Sequence, residues 1–303
     1  MPEYSIQSFT YRLKHNTDLS WVNAWGQIFS VFDQTGSGCI CFGIERDGHQ
    51  FFMKIAGADT ETAEISPEES IALLERAYGL YEELAHPALV TAEDAFLKNG
   101  LFAALFEWAE GECLFDHWNF DRYKSDPSVV TPKQRFSALP FVKKAAVCEQ
   151  ILSFIHNCTA KGYVPVDFYD ASLIYDFKTD TVKFCDIDLF RKMPLINEAG
   201  EAYWGTKRLK APEEHIKGSV IDERTAVFTS AALCTELLSE PGRVLTRRRY
   251  EQGHFIPVPY VHFHGPKNVY DILRTATKTF PDERYQTMEE LYRAFVSAVR
   301  SIA

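Results

Sequence analysis

The sequence predicts an α+β protein with two lobes, and two observations lead to this prediction. Residues 1–109 carry short runs of β-branched and aromatic residues separated by turns, with one helical segment among them, whereas residues 110–303 are mainly amphipathic helix. At 303 residues the chain is about twice the length of a typical ~150-residue domain. We therefore expect an N-lobe over 1–109 and a C-lobe over 110–303.

Composition excludes several classes of protein. Hydrophobic residues make up 46% of the chain, charged residues 24% and aromatic residues 14%, which is typical of soluble globular proteins rather than disordered ones. The net charge of −10, without a long Lys/Arg tract, argues against nucleic acid or an anionic membrane as a partner. No signal sequence and no run of ~20 apolar residues is present, so we expect a soluble, cytoplasmic protein.

The N-lobe is predicted to contain a three-stranded meander between Gln27 and Ala56. Its strands read QIFSVFD, CICFGIE and QFFMKIA, and glycine-containing turns separate them. A helix should follow, because Ser66 offers an N-cap, Pro67 a first-position proline and Glu69 a capping-box glutamate.

The apolar face of that helix is predicted to consist of Leu73, Leu80 and Leu84, which follow at helical spacing. Two further strands are expected in ALVTAEDAFL and LFAALFEWA. The order of elements in this lobe is therefore β-β-β-α-β-β.

The C-lobe is predicted to be built around a core helix over 142–161, with Ala145, Cys148, Leu152 and Ile155 on one stripe. A hairpin formed by SLIYDF and VKFCDID follows, and further helices are expected over 228–240, 268–277 and 287–302. Residues 117–141, with two prolines, are interpreted as a surface insertion. The seven scattered cysteines are interpreted as buried thiols rather than zinc ligands.

A few residues carry possible chemistry. Lys54 lies within an apolar strand, where an ammonium group needs an anionic partner. The turn Gly36-Ser37-Gly38 joins two strands, and glycines there let backbone N–H groups approach phosphate oxygens. Asp167 follows the core helix and Asp186 ends the hairpin.

The order of these features resembles that of the eukaryotic-type protein kinase family, from Gln27 to Ser297. A glycine-rich turn, a strand lysine, a helix, a hinge, a core helix and two aspartates succeed one another as in that family. The segments that carry the resemblance are FFMKIAG, LAHPALV, ALFEWAEGECLFD, GYVPVDFYDASLIYD, KFCDIDLF, WGTKRLKAPEE and FPDERYQTMEE.

The resemblance implies a role for each candidate site residue. The phosphates of ATP would be bound by Gly36, Ser37, Gly38 and Lys54. Adenine would lie against the gatekeeper Phe106 and would be bound by the backbones of Glu107 and Ala109. Glu112 would bind the ribose. Asp167 would be the catalytic base, acting with Lys54. Asp186 would hold Mg²⁺, or Mn²⁺ in its place, and Ser172 would hold a second metal ion weakly.

Two contacts in the C-lobe are also implied. Glu213 of the Ala-Pro-Glu triplet would pair with Arg284, and the hydroxyl of Thr206 would bond near Asp167. Val166 stands where the family has an arginine that binds a phosphorylated activation segment, so we expect activity that does not depend on such phosphorylation.

Several positions depart from the family pattern. They are Pro165 and Val166 in the catalytic loop, Tyr169 at the lysine position, Ser172 at the asparagine position, Asp188 at the glycine of the D-F-G motif, Ala226 after the Ala-Pro-Glu triplet, and Ala77 where the helix glutamate would pair with Lys54.

The sequence therefore predicts an ATP-dependent protein kinase, with Ser/Thr preferred over Tyr as acceptor and a protein as substrate. Two alternatives remain open. One is a nucleotide-binding pseudokinase that acts as a scaffold, and the other is a small-molecule kinase of the aminoglycoside or choline type.

Overall fold

The computed structural model describes residues 3–126, 128–240 and 242–301. The fold is α+β, as the sequence predicts. The chain divides into two compact units, Met1–Ala109 and Glu110–Ala303. No helix in the described ranges is long and apolar enough to cross a membrane.

The first unit is organised around one five-stranded antiparallel sheet of order β3-β4-β5-β7-β6. A separate hairpin, β1-β2, precedes the sheet, and the predicted order β-β-β-α-β-β follows from Gln27 onward. The elements are β1 (Glu3–Ile6), β2 (Phe9–Arg12), β3 (Gln27–Phe32), β4 (Ile40–Arg46), β5 (His49–Ala56), α1 (Pro67–Glu83), β6 (Ala92–Lys98) and β7 (Leu101–Glu107).

The start of α1 confirms the predicted capping box. The Ser66 hydroxyl accepts from the Glu69 N–H at 3.2 Å, and the Glu69 carboxylate accepts from the Ser66 N–H at 2.9 Å. The predicted apolar face is confirmed at Leu80 and Leu84, which are buried, and is wrong at Leu73, which is only half-buried. Leu74, Ala77 and Tyr81 repeat at i, i+3 and i+7, which is one face of a helix.

Residues 3–26 cover one face of the sheet, a feature that the sequence does not predict. Apolar side chains of this segment, including Tyr11, Leu13 and Val22, form one core with inward-facing residues of the strands. Met53 and Ile55 of β5 belong to that core. Because side chains alternate along a strand, Phe52 and Lys54 lie on the opposite face of the sheet.

The second unit contains most of the helices, and its described residues form three small sheets. Its elements are β8 (Glu112–Cys113), α2 (Phe120–Ser125), α3 (Pro132–Ser137), α4 (Phe141–Ala160), β9 (Tyr163–Val164), β10 (Leu173–Asp176), β11 (Thr181–Phe184), β12 (Arg191–Lys192), β13 (Leu195–Ile196), β14 (Val220–Ile221), α5 (Glu223–Leu237), α6 (Gly242–Gln252), α7 (Lys267–Ala276) and α8 (Met288–Arg300).

The core of the second unit is centred on α4, which packs against α5 and α8. The stripe predicted for α4 is confirmed, since Ala145, Cys148, Leu152 and Ile155 are all fully buried. The hairpin β10-β11 is also present where the sequence predicts it.

The interpretation of residues 117–141 as a surface insertion is wrong in part. This stretch contains α2 and α3, and Phe136 of α3 is buried with its ring edge-on to Tyr175 at 5.1 Å between centroids. The helix α6 was not predicted.

Candidate functional site

The predicted site residues of the first unit start with Lys54 on β5. This strand is central in the sheet, and Lys54 lies opposite Cys41 of β4 and Ala104 of β7. The side chain is half-buried. Because side chains alternate between the two faces of a sheet, the Lys54 ammonium group lies on the face opposite the one that residues 3–26 cover.

Four aromatic side chains accompany Lys54 on the sheet. The Phe52 ring, two residues before Lys54, lies 6.0 Å from Phe32 and 6.4 Å from Trp108 between centroids. Phe29 contacts Trp108 edge-on at 4.8 Å. Gly43 is required beneath these rings, since a Cβ there would lie 2.6 Å from the Phe29 ring. These half-buried rings form an apolar surface beside a cation.

The glycine turn Gly36-Ser37-Gly38 lies against the segment that leads into α1. The Gly38 N–H donates to the Thr35 carbonyl at 3.2 Å, and the Gly36 carbonyl accepts from the Glu64 N–H at 2.9 Å. The Gly38 N–H would have to exchange that internal bond in order to bind a phosphate oxygen.

The predicted hinge residues follow at the end of β7. Phe106 is buried against α1, with its ring 4.7 Å from that of Tyr81. The Glu107 N–H donates to the Thr91 carbonyl at 2.9 Å, and Ala109 is the last residue of the first unit. Phe106 is therefore a packing residue of the first unit in this structure.

The loop with Asp167 belongs to the second unit and is anchored by aromatic packing. The neighbouring residue Phe168 is buried, with its ring 5.8 Å from Phe154 of α4, 5.6 Å from Phe184 of β11 and 5.9 Å from Phe190. Before the loop, β9 pairs with β12. These contacts fix the backbone on both sides of Asp167.

Asp167 accepts a hydrogen bond from the Thr206 hydroxyl at 2.8 Å, which confirms the predicted contact. The preceding residue, Gly205, adopts φ of +120°, a backbone conformation that residues with a side chain rarely adopt. Burial and the charge of Asp186 raise the pKa of Asp167 to about 6, although the Thr206 hydrogen bond and Lys210 oppose the increase.

Asp186 stands close enough to Asp167 for its charge to act on that carboxyl group. Both aspartates have positive φ, 58° for Asp167 and 57° for Asp186, in the left-handed region that L-residues seldom adopt. Asp47, Asn99 and Asp180 have similar φ elsewhere in the chain, and Asp and Asn adopt this conformation more readily than other residues, so it does not by itself identify a site. The Asp186 side chain is exposed.

Ser172 is joined to the residue before Asp186, because its carbonyl accepts from the Cys185 N–H at 3.0 Å. Its hydroxyl is enclosed and has no hydrogen-bond partner among the residues that the structure describes. Within the described ranges, no three His, Cys, Asp or Glu side chains are grouped so as to hold a metal ion by themselves.

Two other predicted positions have local partners. The Glu112 carboxylate forms an ion pair with Arg135 of α3. Tyr169, at the position of the family lysine, packs on Phe115 with 6.0 Å between ring centroids. Burial and three nearby aspartates raise the pKa of Tyr169, so this hydroxyl stays neutral.

The predicted pair between Glu213 and Arg284 is confirmed. The guanidinium donates two hydrogen bonds, at 2.7 and 2.8 Å, one to each carboxylate oxygen. Both side chains are buried, and the Thr225 hydroxyl donates to the same carboxylate at 2.8 Å. This pair fixes the segment that follows Thr206 to the helical part of the second unit.

Comparison with known proteins finds no protein-family model that matches the chain and no curated protein with significant sequence similarity.

Proposed function

We propose that this protein is an ATP-dependent phosphotransferase of the protein kinase type, which transfers the γ-phosphate to a serine or threonine hydroxyl of a protein. The observation that carries the proposal is the hydrogen bond between Thr206 and Asp167. It joins a half-buried aspartate, whose pKa is raised to about 6, to the segment in which a kinase would bind its protein substrate.

The bilobal kinase arrangement is part of the same proposal. A lysine on the third strand of a five-stranded sheet, with a helix between the third and fourth strands, is the pattern expected of a kinase N-lobe. The buried pair between Glu213 and Arg284 supports a kinase-like second unit.

Asp167 has suitable properties for a general base. A catalytic acid or base works best when its pKa lies near the operating pH, and burial brings that of Asp167 to about 6. Thr206 fixes one carboxylate oxygen through its hydrogen bond, which leaves the other to orient an acceptor hydroxyl and take its proton. Lys54 would position the phosphates by charge.

Asp186 fits Mg²⁺, because its carboxylate is exposed and hard oxygen ligands suit that ion. Mg²⁺ is commonly held by one or two carboxylates together with substrate phosphates, so a three-residue protein site is not needed. The bound ion would neutralise charge on the phosphates. Ser172 would add little, because its hydroxyl is enclosed.

The test is a phosphotransfer assay with labelled ATP, Mg²⁺ or Mn²⁺, and a mixture of generic protein substrates. Wild-type protein should transfer phosphate, and Asp167→Ala should lower the rate by at least ~100-fold, since it removes the base and its positioning of the hydroxyl. Asp94→Ala, on an exposed position of β6, should behave as wild type. Equal rates in wild type and Asp167→Ala would refute the proposal.

A second candidate function, a pseudokinase scaffold, is favoured by one observation. The strand motif of kinases has a small alanine two residues before the lysine, whereas this chain has Phe52 in contact with Phe32 and Trp108. These rings occupy space on the face of the sheet that carries Lys54. Nucleotide binding without transfer in the same assay would support this second function.

A further inference from the structure

Five charged side chains form a cluster in the second unit, and one of them, Asp170, lies three residues after Asp167. Its members, called the ion-pair cluster below, are Lys133, Asp170, Arg208, Glu236 and Arg249. They come from α3, the loop after Asp167, the segment after Thr206, α5 and α6. Five separate parts of the second unit therefore meet at one set of charges.

The two acids of the cluster are each shared between cations. Asp170 receives Lys133 at 2.5 Å on one oxygen and Arg208 at 2.5 Å on the other. Glu236 receives Lys133 at 3.0 Å and Arg208 at 2.7 Å, with Arg249 at 3.6 Å. Arg208 thus connects both carboxylates.

Most of the cluster is buried. The Asp170 side chain is 0% exposed, that of Arg208 is 4% and that of Arg249 is 2%, whereas that of Lys133 is 33% exposed. Burial alone would raise the pKa of Asp170, but the charges of Lys133 and Arg208 outweigh it and lower that pKa. Burial acts on Glu236 in the same way, and the charges of Lys133 and Arg208 again outweigh it and lower the pKa. Both carboxyl groups are therefore ionised at neutral pH, where they face three cations.

Two contacts join the loop that carries Asp167 to the segment that carries Thr206, and one of them belongs to the ion-pair cluster. Thr206 donates to Asp167, and two residues later Arg208 donates to Asp170. The same two stretches of chain are thus joined at two points, one hydroxyl bond and one ion pair. The ion pair is the more deeply buried of the two contacts, and it joins two full charges.

We propose that Arg208 is a positioning residue, which holds the segment with Thr206 against the loop with Asp167 through the ion-pair cluster. This deepens the proposed function and rests on it only for the effect on catalysis. Buried ion pairs add little net stability compared with apolar packing, and their best-attested role is to specify one arrangement of the chain.

The experiment compares Arg208→Gln, Arg208→Lys and wild-type protein by hydrogen exchange and by kinetics. In Arg208→Gln, amides over 165–172 and 203–210 should exchange faster, while those of α8 should not change. The kcat should fall by about 100-fold, because small displacements of a positioned base have effects of that size, while the KM for ATP should not change. Arg208→Lys keeps one charge and should recover part of the loss.

The matched control is Arg247→Gln. Arg247 is 80% exposed and pairs with Glu251 on the surface of α6, so this variant removes an arginine and an ion pair without touching the cluster. It should show wild-type exchange and wild-type kinetics. Thr206→Val and Arg208→Gln should both loosen the contact between the two segments. The loss of kcat in the double variant should therefore be smaller than the product of the two single losses.

Two results separate this inference from the proposed function. Wild-type exchange over 165–172 in Arg208→Gln would overturn the inference, whatever the activity. Faster exchange there in a protein whose wild type transfers no phosphate would support the inference and refute the proposed function. If Arg208→Gln fails to fold, Asp170→Asn combined with Arg208→Met removes one charge of each sign and should give the same exchange pattern.

Discussion

At the scale of single residues, Asp167 combines two properties that point to chemistry. Its side chain is half-buried, and its carboxylate accepts a hydrogen bond from Thr206. Burial favours the protonated form, while the Thr206 hydroxyl favours the ionised form. The carboxyl group is therefore poised near neutral pH, where a surface aspartate would be fully ionised.

The first prediction is a pH dependence. A base must be ionised to accept a proton, so kcat should fall as pH drops through about 6. Thr206→Val removes a donor that lowers the pKa of Asp167, so the acidic limb should move to higher pH. Thr246→Val, at an exposed site on α6, should leave the limb in place. An acidic limb that stays unmoved in Thr206→Val would contradict the assignment of the base.

The second prediction concerns Glu214, a buried carboxyl group outside the proposed chemistry. Burial and the neighbouring Glu213 raise its pKa to about 8, although a hydrogen bond from the Ala211 N–H at 2.7 Å opposes this. The folded protein thus holds a proton that the unfolded chain releases. Its contribution to stability is present below about pH 4.5 and is lost as pH rises through about 8.

Glu214→Gln keeps an acceptor for the Ala211 N–H but cannot ionise. The free energy of unfolding of wild type, measured in urea, should therefore decline relative to the variant between about pH 5 and pH 8, by several kcal/mol in total. Glu251→Gln, exposed on α6, is the control. Parallel stability curves for wild type and Glu214→Gln would show that Glu214 is ionised throughout.

At the scale of elements, the pair between Glu213 and Arg284 joins the 3-10 helix Pro212–His215 to the segment between α7 and α8. Arg284 also donates to three carbonyl groups, those of Lys278, Thr279 and Arg224. One buried side chain therefore satisfies acceptors in three places.

The third prediction is that Arg284→Met lowers the free energy of unfolding by about 3–5 kcal/mol, because it leaves the Glu213 charge buried without its main partner. Arg293→Met removes an exposed ion pair with Glu289 on α8 and should cost less than about 0.5 kcal/mol. Urea unfolding of both variants measures the difference. Similar costs for the two would mean that the buried pair contributes no more than a surface pair.

Sequence patterns predicted the elements that are stabilised locally. The capping box of Ser66 and Glu69, the stripe of α4 and the hairpin β10-β11 each depend on residues close in the chain. The helix α6 is not predicted because its apolar residues are too few to form a stripe, and the buried member among its described side chains is Arg249. The burial of Arg249 depends on Glu236 and on the Ile256 carbonyl, which no periodicity records.

The candidate site likewise has contacts that the sequence predicts and contacts that it does not. Thr206 beside Asp167 and Glu213 beside Arg284 were predicted from the order of motifs. The ion-pair cluster was not, since Asp170 and Lys133 are ordinary charged residues in the sequence and become distinctive only through burial. The aromatic contacts of Phe52 could not be predicted from the sequence either, because they join side chains from three parts of the first unit.

At the scale of the whole molecule, the predicted chemistry is divided between the two units. Lys54 belongs to the first unit, while Asp167, Ser172 and Asp186 belong to the second. A phosphotransferase would need charges from both on the same phosphates. The proposed function is therefore best tested by variants that change one unit at a time and leave its core intact.

The last prediction compares three such variants by their affinity for ATP and their rate of transfer. Lys54→Met should weaken ATP binding or abolish transfer, because it removes the cation that would meet the phosphates. Asp186→Asn should lower transfer by at least ~100-fold, since it removes the anionic ligand for Mg²⁺. Ser172→Ala should cost less than about tenfold, because the enclosed hydroxyl it removes is a poor ligand. Equal losses of transfer in Asp186→Asn and Ser172→Ala would show that the metal roles are wrongly assigned. Unchanged ATP binding and transfer in Lys54→Met would show that Lys54 takes no part in the reaction.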